Sequence, residues 1–247
     1  MRYSVPSILA LATTKTIKAS YSVSTSPLKI SVITGTTRTD GPPRPILGPR
    51  IASYVCKSLT QRGHEVFMID PREVDIPLMT KPHFSYPASA VPEVLSDIHS
   101  TLSESDAYVT ITPEFNHAPS PGLLNLLNHF GSSTFGFKPS AIVSYSAGQW
   151  GGTRAAHSLR PILSELGCLP VSAMIHVPKV QESFDEEGSV IGDEKVIQRW
   201  DQYMSRTFSQ LEWWGEAAKL QKLQKDPFEQ SPTFIRAPSQ RDAPINK

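Results

Sequence analysis

Five short apolar runs, each separated from the next by a segment long enough for a helix, constrain this 247-residue chain more than any other feature. They are LKISVIT (28–34), VFMI (66–69), AYVTIT (107–112), PSAIVSYS (139–146) and LPVSAMIHV (169–177). Strands this apolar need cover on both faces, and alternation with helices supplies it. The pattern therefore predicts a parallel sheet inside an open three-layer α/β/α sandwich, and the right-handed crossover rule leaves few ways to connect it.

The helix signals fall between the runs. Gly48-Pro49 opens one helix, with Ile51, Val55 and Leu59 on a single face and Gly63 as its stop. A second is expected over 92–105. A third is built on Leu123, Leu124, Leu127 and Phe130 and ended by Gly131. A fourth runs over 153–166, where Pro161 should bend it and Gly167 ends it. The last is expected over 194–214. The segment 70–91 is a long proline-rich connection.

Domain boundaries follow from where periodicity starts and stops. Residues 28–214 form one domain, and 39% hydrophobic content is enough for its core. Residues 1–27 contain no acid and carry Arg2, Lys15 and Lys18, which suits a disordered extension or a mitochondrial leader. Residues 215–247 turn rich in proline and glutamine and read as a largely disordered tail that could begin as a helical extension. A net charge of +1 gives no field for nucleic acid or acidic lipid. No apolar run reaches bilayer-spanning length. Cys56 and Cys168 sit in apolar surroundings, as small buried hydrophobes of a reducing compartment.

Open α/β sheets bind ligands outside the carboxyl ends of their strands. Three loops qualify, and each has an unusual composition. TGTTRTDGPPRPILG (34–48) has the ingredients of an anion cradle: Gly35 frees the backbone, Thr36, Thr37 and Thr39 offer hydroxyls, and the next helix points its positive end at the loop. Arg38 is its strong cation and Arg44 a weaker candidate; the alternative is a surface turn with a solvated arginine. Neither GxGxxG nor GxxxxGK[ST] is present, which favours a single phosphate. PEFNHAPSPG (113–122) either turns a corner or holds a ligand.

SAGQWGG (146–152) resembles a hydrolase elbow in Ser146 and Gly148, but Ser144 stands where GxSxG needs glycine. Its glycines Gly148, Gly151 and Gly152 let a flat ligand approach the backbone, with Gln149 beside them and Trp150 able to cover it; a tight strand-to-helix connection is the alternative. Glu114 and His117 have the spacing of a carboxylate-bridged metal site, yet a second copy of the motif is lacking and Pro113 and Pro119 argue against a helix. No metal site and no side-chain nucleophile are expected.

In the order of these motifs the chain resembles the NADPH-dependent FMN reductase family, the flavodoxin-like quinone and azo-dye reductases. The resemblance covers about 28–214. It rests on Gly35, Thr36, Thr37 and Arg38 for a GSxR-type loop, on Pro113, Glu114, Phe115, Asn116 and His117 with Asn125 for the PEYN segment, and on Ser146, Gly148, Gly151, Gly152, Arg154, Ala155, Leu159, Arg160, Leu163, Leu166 and Gly167 for SxGxxGGxRAxxxLRxxLxxLG. Gly41, Ala118, Leu124 and Asn128 depart from the family pattern, the last three near its subunit interface.

The resemblance implies strand order 2-1-3-4-5, FMN and NADPH as cofactors, a small electron acceptor such as a quinone, and a cytoplasmic dimer or tetramer. Arg38 and the threonines would hold the phosphate. Backbone N–H groups of 115–117 would face the pyrimidine edge of the ring, and 146–151 would support it. Asn116→Pro should then delete one donor and leave the fold intact. A flavin-carrying electron shuttle or sensor, and a scaffold without flavin, are the competing readings.

Overall fold

A computed structural model describes residues 27–41 and 46–230. Arg44, the leader or extension assigned to 1–27 save its last residue, and the tail beyond Gln230 lie outside the described residues. The chain runs β1 (Lys29–Thr34), α1 (Gly48–Gln61), β2 (Glu65–Ile69), α2 (Glu93–Glu104), β3 (Ala107–Phe115), β4 (Ala118–Pro119), α3 (Pro121–Asn128) and α4 (Ser132–Phe135). It continues through β5 (Pro139–Tyr145), α5 (Thr153–Glu165), β6 (Leu169–Pro170), β7 (Ile175–Val177), α6 (Val180–Ser183), α7 (Glu194–Lys222) and α8 (Pro227–Gln230).

The sheet order is β2-β1-β3-β5-β6, with β7 also on β5, and all these pairs are parallel. This is the 2-1-3-4-5 order, with the fifth position divided. The run 169–177 was expected as one strand. Instead, β6 and β7 pair with opposite ends of β5, because side chains take the backbone groups between them. Arg160 donates to the carbonyls of Val171 and Pro170 at 2.8 and 3.1 Å, and Gln210 accepts from the Ala173 N–H at 3.1 Å.

Period-two alternation sorts the strands between two cores. Ile30, Val32, Val109, Ile111, Ala141, Val143 and Tyr145 face α1 and α7; Ile33, Tyr108 and Ile142 face α2, α3 and α5. Three helix boundaries differ from expectation. The third helix stops at Asn128, and the short α4 follows Gly131. Helix α5 ends at Glu165 and continues unbroken through Pro161. Helix α7 extends to Lys222 rather than 214, since its last turns also have a surface to pack on. A Cβ on Gly215 would lie 2.7 Å from Leu28 Cδ1. Lys219 Nζ donates to the Pro27 carbonyl at 2.9 Å and pairs with Asp106 at 3.0 Å.

At the opposite end of the sheet from the carboxyl ends of its strands, the buried Lys138 Nζ donates to the carbonyls of Leu102 and Ser103 and to the Tyr108 hydroxyl, each at 2.8 Å. Leu102 and Ser103 lie in the last turn of α2, where the helix dipole favours a cation.

The connection 70–91 is pinned to α3 and to the residue after it. Asn125 Oδ1 accepts from Met79 N–H at 2.8 Å, its Nδ2 donates to Pro77 O at 3.0 Å, and His129 Nε2 donates to the same carbonyl at 2.9 Å. His83 stacks on His99 with ring centres 4.3 Å apart. Burial lowers the pKa of both; the neighbouring His129 adds to the effect on His83, and His83 and Lys138 add to that on His99. Histidines held neutral by the fold take up protons more readily once unfolded, so their contribution to stability is complete above the unfolded value of about 6.5 and is lost as pH falls through the window below it. Tm should fall over that window, and His99→Phe, which keeps a ring in the stack, should flatten the fall in a thermal melt series.

Candidate functional site

The strand order reverses between β1 and β3, and the loops that follow β1, β3 and β5 meet at the carboxyl edge beside that point. The first loop lies against the start of α3. Gly35 N–H donates to Ile111 O at 2.8 Å, and Ser120 Oγ donates to Gly35 O at 2.6 Å while capping α3. A Cβ on Gly35 would sit 2.4 Å from Ser120 Oγ and 2.8 Å from Leu123 Cβ. One on Gly122 would meet Thr37 Cγ2 at 2.5 Å. Only hydrogen fits at either place. Thr36 is buried and its Oγ1 accepts from the Arg38 N–H at 3.3 Å; Thr37 is exposed. The Arg38 guanidinium donates to Asp40 O at 3.1 Å.

The segment 113–119 is a β-hairpin. Strand β3 runs on to Phe115 and turns back through Asn116 and His117 into β4, pairing Glu114 with Pro119 and Phe115 with Ala118. Asn116 and His117 both have left-handed backbone, φ 50° and 66°, the signature of a two-residue primed turn. Asparagine tolerates that region well. The hairpin leans on α5: Ser158 Oγ donates to His117 O at 3.2 Å.

Glu114, expected among the ligand-binding residues, pairs its carboxylate with Arg154. Oε1 pairs with Nη2 at 2.6 Å and Oε2 accepts the Arg154 N–H in the first turn of α5 at 3.2 Å. Its side chain ties the second loop to the third. The backbone angle also overturns the expectation for Asn116→Pro. Proline requires φ near −65° and cannot adopt +50°. Asn116→Pro should therefore destabilise the fold by about 3 kcal/mol, with Asn116→Gly near neutral by urea denaturation.

In the third loop Ser146 acts as an internal brace. Its Oγ accepts the Gly151 N–H at 2.9 Å and donates to Gly148 O at 2.8 Å, and its N–H donates to Val177 O at 3.1 Å. Gly151 and Gly152 have φ of 60° and 73°, and a Cβ on either would press on backbone at about 3.0 Å, so both are glycine for structural reasons. Gly148 is different. A Cβ there would meet nothing within 4 Å and its φ is not positive, so the chain's own packing gives no reason for glycine. Gln149 is exposed, and Trp150, 63% exposed, lies 5.9 Å from the Arg154 guanidinium.

A cavity of about 270 Å³ opens where the loops meet. Of the residues singled out in the sequence, Thr36, Arg38, Pro113, Glu114, Phe115 and Ser146 line it. Gly35 and Thr37 lie behind it against α3, Asn116 and His117 form the hairpin tip, and Gly148 to Gly151 form the adjoining loop. Ile46, Leu47, Tyr145 and Ala147 also line it and were missed. Tyr145 was findable, as the last residue on the same strand face as Ala141 and Val143. Its hydroxyl lies 2.7 Å from where a Cβ on Gly48 would stand. Burial raises its pKa, against the opposing pull of Thr36, Arg72 and Arg38, so the phenol stays protonated.

A parallel sheet of this order with a cleft at its switch point defines the flavodoxin-like class. Within that class the chain belongs to the NADPH-dependent FMN reductase family, whose description matches residues 28–182. It is similar to an NAD(P)H-dependent FMN reductase of Pseudomonas aeruginosa, 28% identical over 43% of this chain and 60% of that protein. A quinone reductase of Pseudomonas putida is 33% identical over 36% of this chain and 48% of its own length. The chain thus spans about half to three fifths of these two curated relatives. Among solved structures, the flavoenzyme NAD(P)H:(acceptor) oxidoreductase FerB of Paracoccus denitrificans has a TM-score of 0.56 at 22% identity, covering 75% of this chain and 97% of that one. That likeness shows the fold.

Proposed function

We propose that the chain binds FMN at this cleft and acts as an NAD(P)H-dependent oxidoreductase on a quinone-like or other small acceptor. The observation that carries the proposal is the convergence of the Thr36–Arg38 loop, Phe115 and Ser146–Ala147 on one cavity at the switch point. The donor set suits a phosphate ester: a threonine hydroxyl, a guanidinium and the first turn of α1. At about 270 Å³ the cavity is just below the roughly 300 Å³ at which enclosed small-molecule sites begin, so it encloses part of FMN rather than all of it. Gly148, free of packing demands, leaves backbone open for a flat ring beside it.

Arg38 and Thr36 would hold the phosphate, and the hairpin and Gly148–Gly151 would support the ring and border the nicotinamide. Bound there, FMN supplies hydride transfer, so donor and acceptor would alternate at one site with ping-pong kinetics. The chain's own part is to orient, to exclude water and, through hairpin N–H groups, to favour negative charge at the ring edge. The proposal extends to a homo-oligomer in the cytoplasm.

The test is direct. Purified protein titrated with FMN should show a saturable thermal shift and the flavin absorption band, and should then oxidise NADPH with a quinone faster than free FMN does. No thermal shift with FMN would sink the proposal. Binding without turnover would leave an electron carrier.

A further inference from the structure

A second cavity, of about 360 Å³, lies between the edge strand β7 and helix α7, and shares no lining residue with the first. His176, Val196, Arg199, Trp200 and Tyr203 line it. Three of these bring polar groups without partners among the described residues. Arg199 has no carboxylate and the Trp200 indole N–H no acceptor; the third is His176 Nε2.

The tautomer of His176 follows from its surroundings. Ser144 Oγ lies 2.8 Å from both Gly151 O and His176 Nδ1. A carbonyl can only accept, so the serine hydrogen goes to Gly151 and the serine oxygen receives Nδ1–H. Nε2 is left with a lone pair. Burial lowers the pKa of His176, which keeps the ring neutral. The backbone beside it is already closed: the Tyr203 hydroxyl accepts the His176 N–H at 2.9 Å and donates to His176 O at 3.3 Å. This edge therefore offers side chains to a ligand, not strand pairing.

We infer that this groove is a binding site for a small hydroxylated aromatic carboxylate. Arg199 supplies the paired donors a carboxylate takes. The rings of Trp200 and Tyr203, edge to face with centres 5.9 Å apart, supply the walls for a planar molecule. His176 Nε2 accepts the hydroxyl hydrogen. The groove is open, and its volume of about 360 Å³ leaves room for one small planar molecule.

The probe is 4-hydroxybenzoate, titrated into the full chain by calorimetry and followed by NMR of the tryptophan indole N–H signals, assigned with single Trp→Phe variants. Saturable binding is expected, at least about tenfold weaker in Arg199→Gln, an exposed residue whose loss leaves no buried group unpaired. The Trp200 signal should move and the Trp150 signal should not. Absence of saturation up to about 10 mM, undiminished affinity in Arg199→Gln, or movement of Trp150 in place of Trp200 would each overturn the assignment.

Discussion

Replacing Gly35 with alanine is expected to destabilise the folded chain by about 3 kcal/mol. The added carbon would stand 2.4 Å from Ser120 Oγ and 2.8 Å from Leu123 Cβ, with Ile111 O at 3.2 Å. The serine can rotate, but it then gives up both its bond to Gly35 O and its cap on α3, a loss of about 1 kcal/mol. The leucine Cβ is fixed by the helix backbone and cannot move alone. Overpacking of this kind costs about 1–3 kcal/mol. The comparison is Gly148→Ala, in open space, expected to change stability by less than about 0.5 kcal/mol. Urea unfolding followed by circular dichroism measures both. A Gly35→Ala protein as stable as the parent would mean that the loop does not lie on α3 as described.

Arg38→Ala should raise the Kd for FMN at least about tenfold and leave that for riboflavin nearly unchanged. The guanidinium lines the cavity with Thr36, and the difference between the two ligands is the phosphate alone. An exposed helix end contributes only about 0.3–1 kcal/mol to a bound charge, so the arginine carries most of the discrimination. Fluorescence titration with each flavin distinguishes the outcomes. Equal losses for both would make Arg38 a brace for the loop, through its bond to Asp40 O, and not a phosphate ligand.

Much of this architecture was legible in the sequence because burial on both faces writes itself as apolar runs, and helix ends as Gly48-Pro49, Gly63 and Gly167. What escaped depends on contacts between distant residues. Nothing local to 169–177 announces that Arg160 and Gln210 will take its backbone groups and divide the strand. The site divides along the same line. Its loops stood out by composition, but the direction of a side chain did not. Glu114 was grouped with the cofactor-binding residues, but nothing local to it announced its pairing with Arg154. The prolines drew attention to 113–122 as a rigid corner, while the feature that shapes it, left-handed backbone at Asn116 and His117, leaves only a faint mark in the asparagine. Tyr145 stood among the core positions of the run 139–146, since one apolar flank serves core and cleft alike.

The attachment of α7 to the beginning of β1 joins residues 192 positions apart, Lys219 to Pro27, and lays Gly215 on Leu28. A ribosome makes β1 long before the helix that shields one of its faces. Met204, Phe208 and Leu211 have to emerge before Ile30, Val32 and their neighbours on that face are sealed from water. A nascent chain stalled before α7 would therefore present a broad greasy surface to chaperones.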